Sequence, residues 1–401
     1  MRIAYLFMTY PMPAQPFAIS DVRALEAKGH RVDVYALRGR RRDHDETVRR
    51  YGLDLPAAAH PGPASWRALV SRDGLAPAAF LLRLAVVRLA RRPTEFAKTL
   101  ALLPRLVEIT RRLRRDPPDV VHAFWGHYPA LVLLLAERFA PSVHRSLFLG
   151  AYDLTTHLFS LAPEIAARAD SVWTHADANL AILEDVGVAR AKVAVVPRGI
   201  PLDLADRPPV AKVPARICTA ANFQKEKNLD LVIESFARFA RTRPEATLVL
   251  AGDGAERAAL EALVAAHGLG ARVRFTGFLA RERLFEEMQQ AELFVFLSTK
   301  ASERLPNVVK EAMLAETVCL VSRTPDIERL VTPGVSGEIV DTLDPDAVAA
   351  RMRALLAAPE RALMARRAAA HVRATFSAAA AMERYLAGWR RSPPAVSTSA
   401  A

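Results

Sequence analysis

Cysteine is nearly absent from this chain of 401 residues: Cys218 and Cys319 are its only two, each inside an apolar run. They allow no disulfide framework and no CxxC metal spacing, so both read as small buried hydrophobes. Glycine is missing where a dinucleotide-binding turn would need it. The first strand-like run is followed by Thr9-Tyr10-Pro11-Met12-Pro13 rather than by GxGxxG. Prolines cannot offer a pyrophosphate the close backbone approach that glycines allow, which disfavours a dehydrogenase. Long apolar runs are lacking too. No stretch reaches the roughly eighteen residues that a membrane span requires. The N-terminus enters a strand pattern at once, without the regions of a signal peptide. The expected location is the cytoplasm, with room for a peripheral place on the inner face of the cell membrane.

Acidic side chains are scarce in one part only. Residues 1–115 hold 22 Lys/Arg against 10 Asp/Glu, and that surplus of 12 equals the formal net charge of the whole chain. A basic excess confined to one segment suggests an anionic partner there, unless the arginines simply lie on solvated helix faces. The insert 64–115 concentrates it: residues 66–115 carry 12 Lys/Arg against 3 Asp/Glu, interleaved with Leu, Val and Phe. Such a helical segment either rests on an anionic membrane surface or packs on the sheet with its arginines outward. Nucleic acid is not expected, because aromatic interleaving is lacking.

What is present is globular in kind. A hydrophobic share of 51% with 24% charged residues describes a packed protein, and the length calls for two domains. Strand-like runs at 2–8, 31–37, 119–125, 145–149 and 193–196 alternate with helical patterns at 17–28 and 130–138. Two long helical patterns lie between 66 and 115. A Pro-rich link, 201–214, separates a second series with strands at 217–220, 247–251, 273–277, 293–297 and 318–321. This alternation specifies α/β architecture: two doubly wound, Rossmann-like domains, expected to face each other across a cleft. The expected bounds are 1–200 and 215–375, then a helix at 376–391 that returns to the first domain, and a disordered tail at 392–401.

The stretch Ser302-Glu303-Arg304-Leu305-Pro306-Asn307-Val308-Val309-Lys310-Glu311-Ala312-Met313 follows an apolar strand. Pro306 suits the start of a helix, so Glu303 falls in a loop at the carboxyl end of the strand and Glu311 one to two turns into the helix. Ligands of open parallel sheets bind at that end, and a helix N-terminus favours an anion such as a diphosphate. Two carboxylates flanking an anion site can accept hydrogen bonds from hydroxyl pairs on either side of it. A nucleotide-sugar fits that order of acceptor, anion site and acceptor. The spacing alone is common in helix-rich chains, and its bland reading is two solvated carboxylates.

Its embedding resembles glycosyltransferase family 4, whose members usually read EGxPNVxxEAM here. The pair 247–254 (Thr-Leu-Val-Leu-Ala-Gly-Asp-Gly) and 273–277 (Val-Arg-Phe-Thr-Gly) is similar to the same family's strands. Glu226-Lys227-Asn228-Leu229-Asp230 resembles its EKGxD turn, and Val195-Val-Pro-Arg-Gly-Ile200 the motif closing its N-terminal domain. The resemblance spans about residues 1–390. It implies a GT-B fold, an acceptor-side domain at 1–200, a nucleotide-sugar-binding domain at 215–375, and retaining transfer without metal or cofactor. By the same resemblance Glu303 holds donor-sugar hydroxyls, Glu311 the ribose and Lys227 the diphosphate. Leu305, Pro306 and Asn307 meet phosphate and sugar, Gly252 and Asp253 line the donor site, and Gly277, Phe278 and Leu279 lie against the base. The acceptor is expected to be a glycan or lipid-linked glycan of the cell envelope or an exported polysaccharide.

Four departures stand out. The family's phosphate-binding arginine falls at Asn222, with Lys225 as a substitute. A histidine before the Tyr-Asp turn falls at Gly150, in Leu149-Gly150-Ala151-Tyr152-Asp153. Arg304 replaces a glycine and Arg323-Thr324 a Gly-Gly pair; either arginine is a candidate to restore the charge lost at Asn222. His122, His127, Tyr152 and Asp153 are candidate acceptor-side contacts, or else polar residues at a strand end and a turn. Gly150 and Asn222 also motivate a competing reading, a catalytically degenerate GT-B protein that binds nucleotide-sugar or acts as a scaffold.

Overall fold

Apolar runs flanked on both faces by amphipathic helices can only be buried as central parallel strands, and the chain builds two such sheets. The computed structural model describes residues 1–12, 16–39, 45, 47, 48, 53, 55, 56, 59–156 and 158–391. The tail 392–401 lies outside the described residues. The chain divides into two compact units. One is Met1–Pro197 with the segment that begins at Ala381; the other is Arg198–Ala380.

In the first unit β1 (Arg2–Phe7) lies between β2 (Arg31–Ala36) and β3 (Val120–Phe124), all parallel, with Ile3 opposite Val32 and Val120. Next come β4 (His144–Phe148), β5 (Ser171–Thr174) and β6 (Val193–Val195), giving the order β2-β1-β3-β4-β5-β6. Helix α1 (Pro16–Ala27) joins β1 to β2 and is followed by Gly29 at φ 78°, which an L-residue with a Cβ adopts poorly. Among the described residues, the insert between β2 and β3 carries the two long helical stretches expected between 66 and 115, preceded by a short third helix. In chain order they are α2 (Pro63–Leu69), α3 (Arg72–Leu84), continued by a π-helical segment Ala85–Leu89, and α4 (Pro93–Arg115). Helix α4 buries the ion pair Arg105–Glu108 at 2.8 Å, and Arg105 also donates to the Ala36 carbonyl of β2. The helix is thereby locked onto the sheet edge. After β3 come α5 (Leu131–Phe139), α6 (Ala151–Thr155), α7 (Ala162–Arg168) and α8 (Asn179–Asp185).

The second unit has the order β12-β11-β10-β7-β8-β9. Its strands are β7 (Arg216–Ala220), β8 (Thr247–Ala251), β9 (Val273–Gly277), β10 (Leu293–Phe296), β11 (Val318–Ser322) and β12 (Glu338–Val340), again all parallel. Helices α9 (Leu229–Phe239), α10 (Arg257–Ala266), α11 (Arg281–Gln290), α12 (Asn307–Leu314), α13 (Pro345–Ala357) and α14 (Arg361–Thr375) cover it. From β7 the chain winds outward through β8 to β9, then crosses back to β10 and winds the other way. The carboxyl ends of β7 and β10 therefore flank the switch point at which open α/β sheets bind ligands. A last helix, α15 (Ala378–Arg391), stacks Tyr385 on Trp173 of β5 at 4.3 Å, and its Trp389 donates to Ser146 of β4.

Candidate functional site

The loops after β7 and β10 meet at that switch point and are bonded to each other. The Thr299 amide donates to the Glu226 carbonyl at 2.8 Å, and Ser298 Oγ reaches the same oxygen at 3.3 Å. Lys227 Nζ crosses between the loops to Glu303 Oε2, which also accepts from Ser298 Oγ at 3.3 Å. The ammonium lies 4.9 Å from the ring centroid of Phe296, the last residue of β10. Both partners of the pair keep some exposure. Geometry thus joins the two residues assigned to opposite halves of a donor, one to its sugar and one to its diphosphate.

Helix α12 begins where the sequence requires. Pro306 sits at its N-cap with φ −63° and ψ 130°, and Asn307 is the first helical residue. The free N–H groups of that turn and the positive end of the helix dipole lie at the end of α12 that directly follows the Glu303 loop. Arg304, buried to 4% exposure, turns inward and donates to the carbonyls of Ala301 and Glu303 at 2.7 and 2.8 Å. Its own carbonyl accepts from Thr324 at 3.3 Å. Arg323 is paired with Asp341 and Glu328. The charge missing at Asn222 is therefore not restored by either arginine in this arrangement, because each is engaged by neighbouring groups. Leu305 and Pro306 are buried.

Glu311, one turn into α12, makes no side-chain hydrogen bond among the described residues. Desolvation pushes its carboxyl up to about 7, against the opposing pull of Arg281 and Lys310. Arg281 is fixed near it by Asp203 at 2.8 Å and the Pro201 carbonyl at 2.9 Å. Lys310 is wholly enclosed. Its ammonium donates to the Arg198 carbonyl at 2.8 Å and to Asn307 Oδ1 at 3.0 Å, with the Phe376 ring centroid 5.2 Å away. Burial, helped by the Arg198 charge, pushes its pKa down to about 7. Sequence reasoning missed both cations: Arg281 has no motif around it, and Lys310 was one of the unspecified positions inside a recognised one.

The remaining donor candidates lie on the same edge. Gly252 N donates to the Gly277 carbonyl at 2.9 Å, and the Asp253 carbonyl accepts from Phe223 N at 2.9 Å. A Cβ at Gly252 would stand 1.9 Å from the Ala221 carbonyl oxygen at φ +128°, so only glycine closes this contact. Asp253 Oδ1 is occupied by the Gly254 amide at 2.8 Å. Phe278 is 71% exposed beside Gly277, while Leu279 packs partly against the core. Asn222 and Lys225 are exposed in the β7 loop.

The first unit places its candidates differently. His122, expected as an acceptor contact, is 0% exposed: Nδ1 bonds Ser146 Oγ at 2.8 Å, and Tyr5, Tyr385 and Trp389 surround the ring. It belongs to the core, because a mid-strand residue of a central strand has no open face. Asp153 is also buried. Its carboxylate accepts from the Gly126 and Gly150 amides and faces His127 Nε2 at 3.2 Å, so it holds the β3 and β4 loops together. Tyr152 is exposed and His127 partly so. Trp125, unassigned by the sequence, occupies the space before Gly150. It has φ 83°, rare for a bulky residue, and packs edge-on to Phe124 and Phe148. A Cβ at Gly150 would lie 2.5 Å from its ring.

Among the described residues no group of three or more His, Cys, Asp or Glu could hold a metal ion. Two family models match this chain: one described as Glycosyltransferase Family 4 over residues 22–204, the other as Glycosyl transferases group 1 over residues 205–372. The 2-deoxystreptamine glucosyltransferase of Streptomyces kanamyceticus is 27% identical over 292 residues, covering 62% of this chain and 74% of that one. The alpha-D-kanosaminyltransferase of the same organism is 33% identical over 157 residues, 39% of this chain, and the match spans only 40% of that protein. HepE of Anabaena, solved with UDP and glucose, has a TM-score of 0.72 at 16% identity, over 98% of this chain and 100% of that one. That last likeness is one of fold.

Proposed function

Since the chain belongs to glycosyltransferase family 4 and has the GT-B fold, we propose that it moves a sugar from a nucleotide-sugar to a glycan or lipid-linked glycan acceptor, with retention of anomeric configuration. The observation that carries this reading is the Lys227–Glu303 bridge across the switch point, beside the N-terminus of α12. In this reading the diphosphate lies on the free amides of α12 and against Lys227. Glu303 accepts from hydroxyls of the donor sugar, and Glu311 from the ribose. The exposed Phe278, next to Gly277, lies against the base. HepE, with the same fold, binds UDP and glucose, which supports a donor of that chemical class.

The chemistry asks for little more from the protein. Departure of the nucleoside diphosphate leaves positive character on the sugar and negative charge on the phosphate. The helix dipole and Lys227 stabilise the latter. The leaving phosphate oxygen takes the acceptor proton on the face it has just left, which retains configuration and requires no protein nucleophile. Buried neighbours of Lys227 and Glu303 keep the local dielectric low and strengthen both contacts.

A second reading has an observation behind it. With His122 in the core and Trp125 filling the place in front of Gly150, the first unit offers His127 as the candidate imidazole beside Asp153. A protein that binds donor without transferring it fits that arrangement. Release of nucleoside diphosphate from a panel of UDP-, GDP- and dTDP-sugars, with and without a chelator, separates the two. Turnover that survives chelation and is lost in Glu303→Ala supports transfer. A Glu303→Ala protein as active as the parent refutes it, and donor binding without turnover favours the second reading.

A further inference from the structure

Helix α3 already spends one face on the core. Gly74, Pro77, Ala78 and Leu81 are buried there, and Ala85 and Leu89 continue the same face through the π-helical segment. A second apolar stripe remains on the outside. Leu75, Leu82 and Val86 recur at helical spacing, Val87 is turned out beside Val86, and Trp66 and Val70 of the preceding helix α2 join them. These six are between 43 and 78% exposed, and they are six of the eleven large hydrophobic residues that stand exposed among the described residues. So much apolar surface gathered on two consecutive helices marks a contact surface rather than scattered exposure.

The charges around the stripe say what covers it. Arg67, Arg72, Arg83 and Arg91 are exposed and have no acidic partner among the described residues. Arg67 also stands with Arg111 and Arg115 at a cavity of about 420 Å³. The carboxylates of that wall are engaged already, Glu108 by Arg105 and Arg112, and Asp116 by Arg2. Apolar side chains topped by a tryptophan and bordered by unpaired arginines match the boundary between acyl chains and anionic head groups. No helix among the described residues is long and apolar enough to cross a membrane.

We propose that α2, α3 and the π-helical segment lie flat on an anionic phospholipid surface, with Trp66, Val70, Leu82 and Val86 entering the acyl boundary. A phosphate head group sits at the cavity rimmed by Arg67. This surface is independent of the transfer chemistry.

The test is flotation of the full chain with vesicles of phosphatidylcholine, alone or with phosphatidylglycerol, at low and moderate salt. The parent floats with the anionic vesicles at low salt and less at moderate salt. W66S/V70S and L82S/V86S each lower the partition coefficient by about tenfold or more, and R67Q/R83Q by about tenfold at low salt. Trp66 is the strongly exposed member of the four tryptophans, so parent emission shifts to the blue with anionic vesicles and that of W66F does not. All substituted positions are exposed, and circular dichroism with a melting curve confirms that the variants fold. Nucleotide release from donor without vesicles is unchanged in them, so loss of lipid binding and loss of transfer appear in different assays. Absence of binding at low salt overturns the proposal, as does equal binding to both vesicle types or by parent and variants. A dimer in sedimentation velocity that L82S/V86S dissolves assigns the stripe to a second copy and overturns it too.

Discussion

Gly150 has φ −92° and ψ 169°, a backbone open to any L-residue, so what excludes a side chain there is space alone. An added Cβ meets Trp125 Cζ3 at 2.5 Å, Cε3 at 3.3 Å and Phe148 Cε1 at 3.2 Å. Carbon atoms rest at roughly 3.5–4.0 Å, so the indole must retreat by about 1 Å. It has little room, because Phe17, Phe124 and Phe148 hold it at centroid distances of 6.4, 5.2 and 5.6 Å. Overpacking of this kind costs about 1–3 kcal/mol. For a unit of this size each kcal/mol lowers Tm by roughly 2–4 °C, so Gly150→Ala melts the first unit about 5 °C early. In a Trp125→Gly background the closest obstruction is gone, Phe148, 3.2 Å away, can yield into the space the indole leaves, and φ 83° suits glycine. There the same Gly150→Ala change is nearly neutral, which makes the coupling about as large as the single penalty. Thermal unfolding of the four proteins, followed by circular dichroism, reads this directly. Equal Tm losses in both backgrounds would refute the steric argument. If it holds, Gly150→His is accommodated only with Trp125→Gly, and that double variant regains the imidazole whose place the indole takes.

Glu303→Gln keeps the shape of the side chain but loses its charge; nucleotide release then falls about a hundredfold, measured at saturating donor. The carboxyl of Glu311 lies above its ordinary range, so the folded state binds more protons than the unfolded one between about 4.5 and about 7. Stability accordingly falls as pH rises through that window, and the fall is absent in Glu311→Gln by denaturant titration. Donor affinity by calorimetry moves the opposite way, tightening as pH rises through about 7, since an ionised carboxylate is the better acceptor of ribose hydroxyls. Lys310 is depressed, so the unfolded state binds more protons above about 7, and Lys310→Met removes a gain in stability that the parent shows on going from pH 7 toward 10. Arg304→Ala frees the carbonyls of Ala301 and Glu303 and lowers kcat more than donor affinity, because the loop loses its support rather than a ligand contact.

Strands with long apolar runs were legible from the sequence, and so was the start of α12, where Pro306 and the charge pattern agree. β5 and β12 were not. Ser171-Val-Trp-Thr174 mixes polar and aromatic residues because Ser171 serves a hydrogen bond to His144 and Trp173 serves the packing of α15. β12 is a three-residue edge strand, too short for a period to show. The backbone of the candidate donor loops could be read because it depends on local sequence: a glycine that admits a carbonyl, a proline that starts a helix. The first unit resisted because its outcome depends on non-local packing. Nothing near His122 in sequence reveals that Tyr385 and Trp389, more than 260 positions later, close over its ring. Likewise only the fold brings Trp125 against Gly150.

The candidate donor site has a smaller fixed charge than the family pattern implies, and in the reading proposed above the Lys227–Glu303 bridge bears on how it works. With Asn222 neutral and Arg304 and Arg323 engaged elsewhere, the β7 loop offers a diphosphate Lys225, which is exposed, and Lys227, which Glu303 already holds. A diphosphate that draws Lys227 toward itself therefore weakens the bridge and frees Glu303 Oε2, the oxygen that the donor sugar needs. Conversely, sugar hydroxyls that occupy Glu303 release Lys227 for phosphate. In the reading proposed above, the two halves of the donor thus assist each other through one ion pair, and neither a diphosphate nor a sugar alone gains the full effect. A site that keeps its charges paired until the whole donor arrives also avoids leaving an uncompensated ammonium over the Phe296 ring in the empty state.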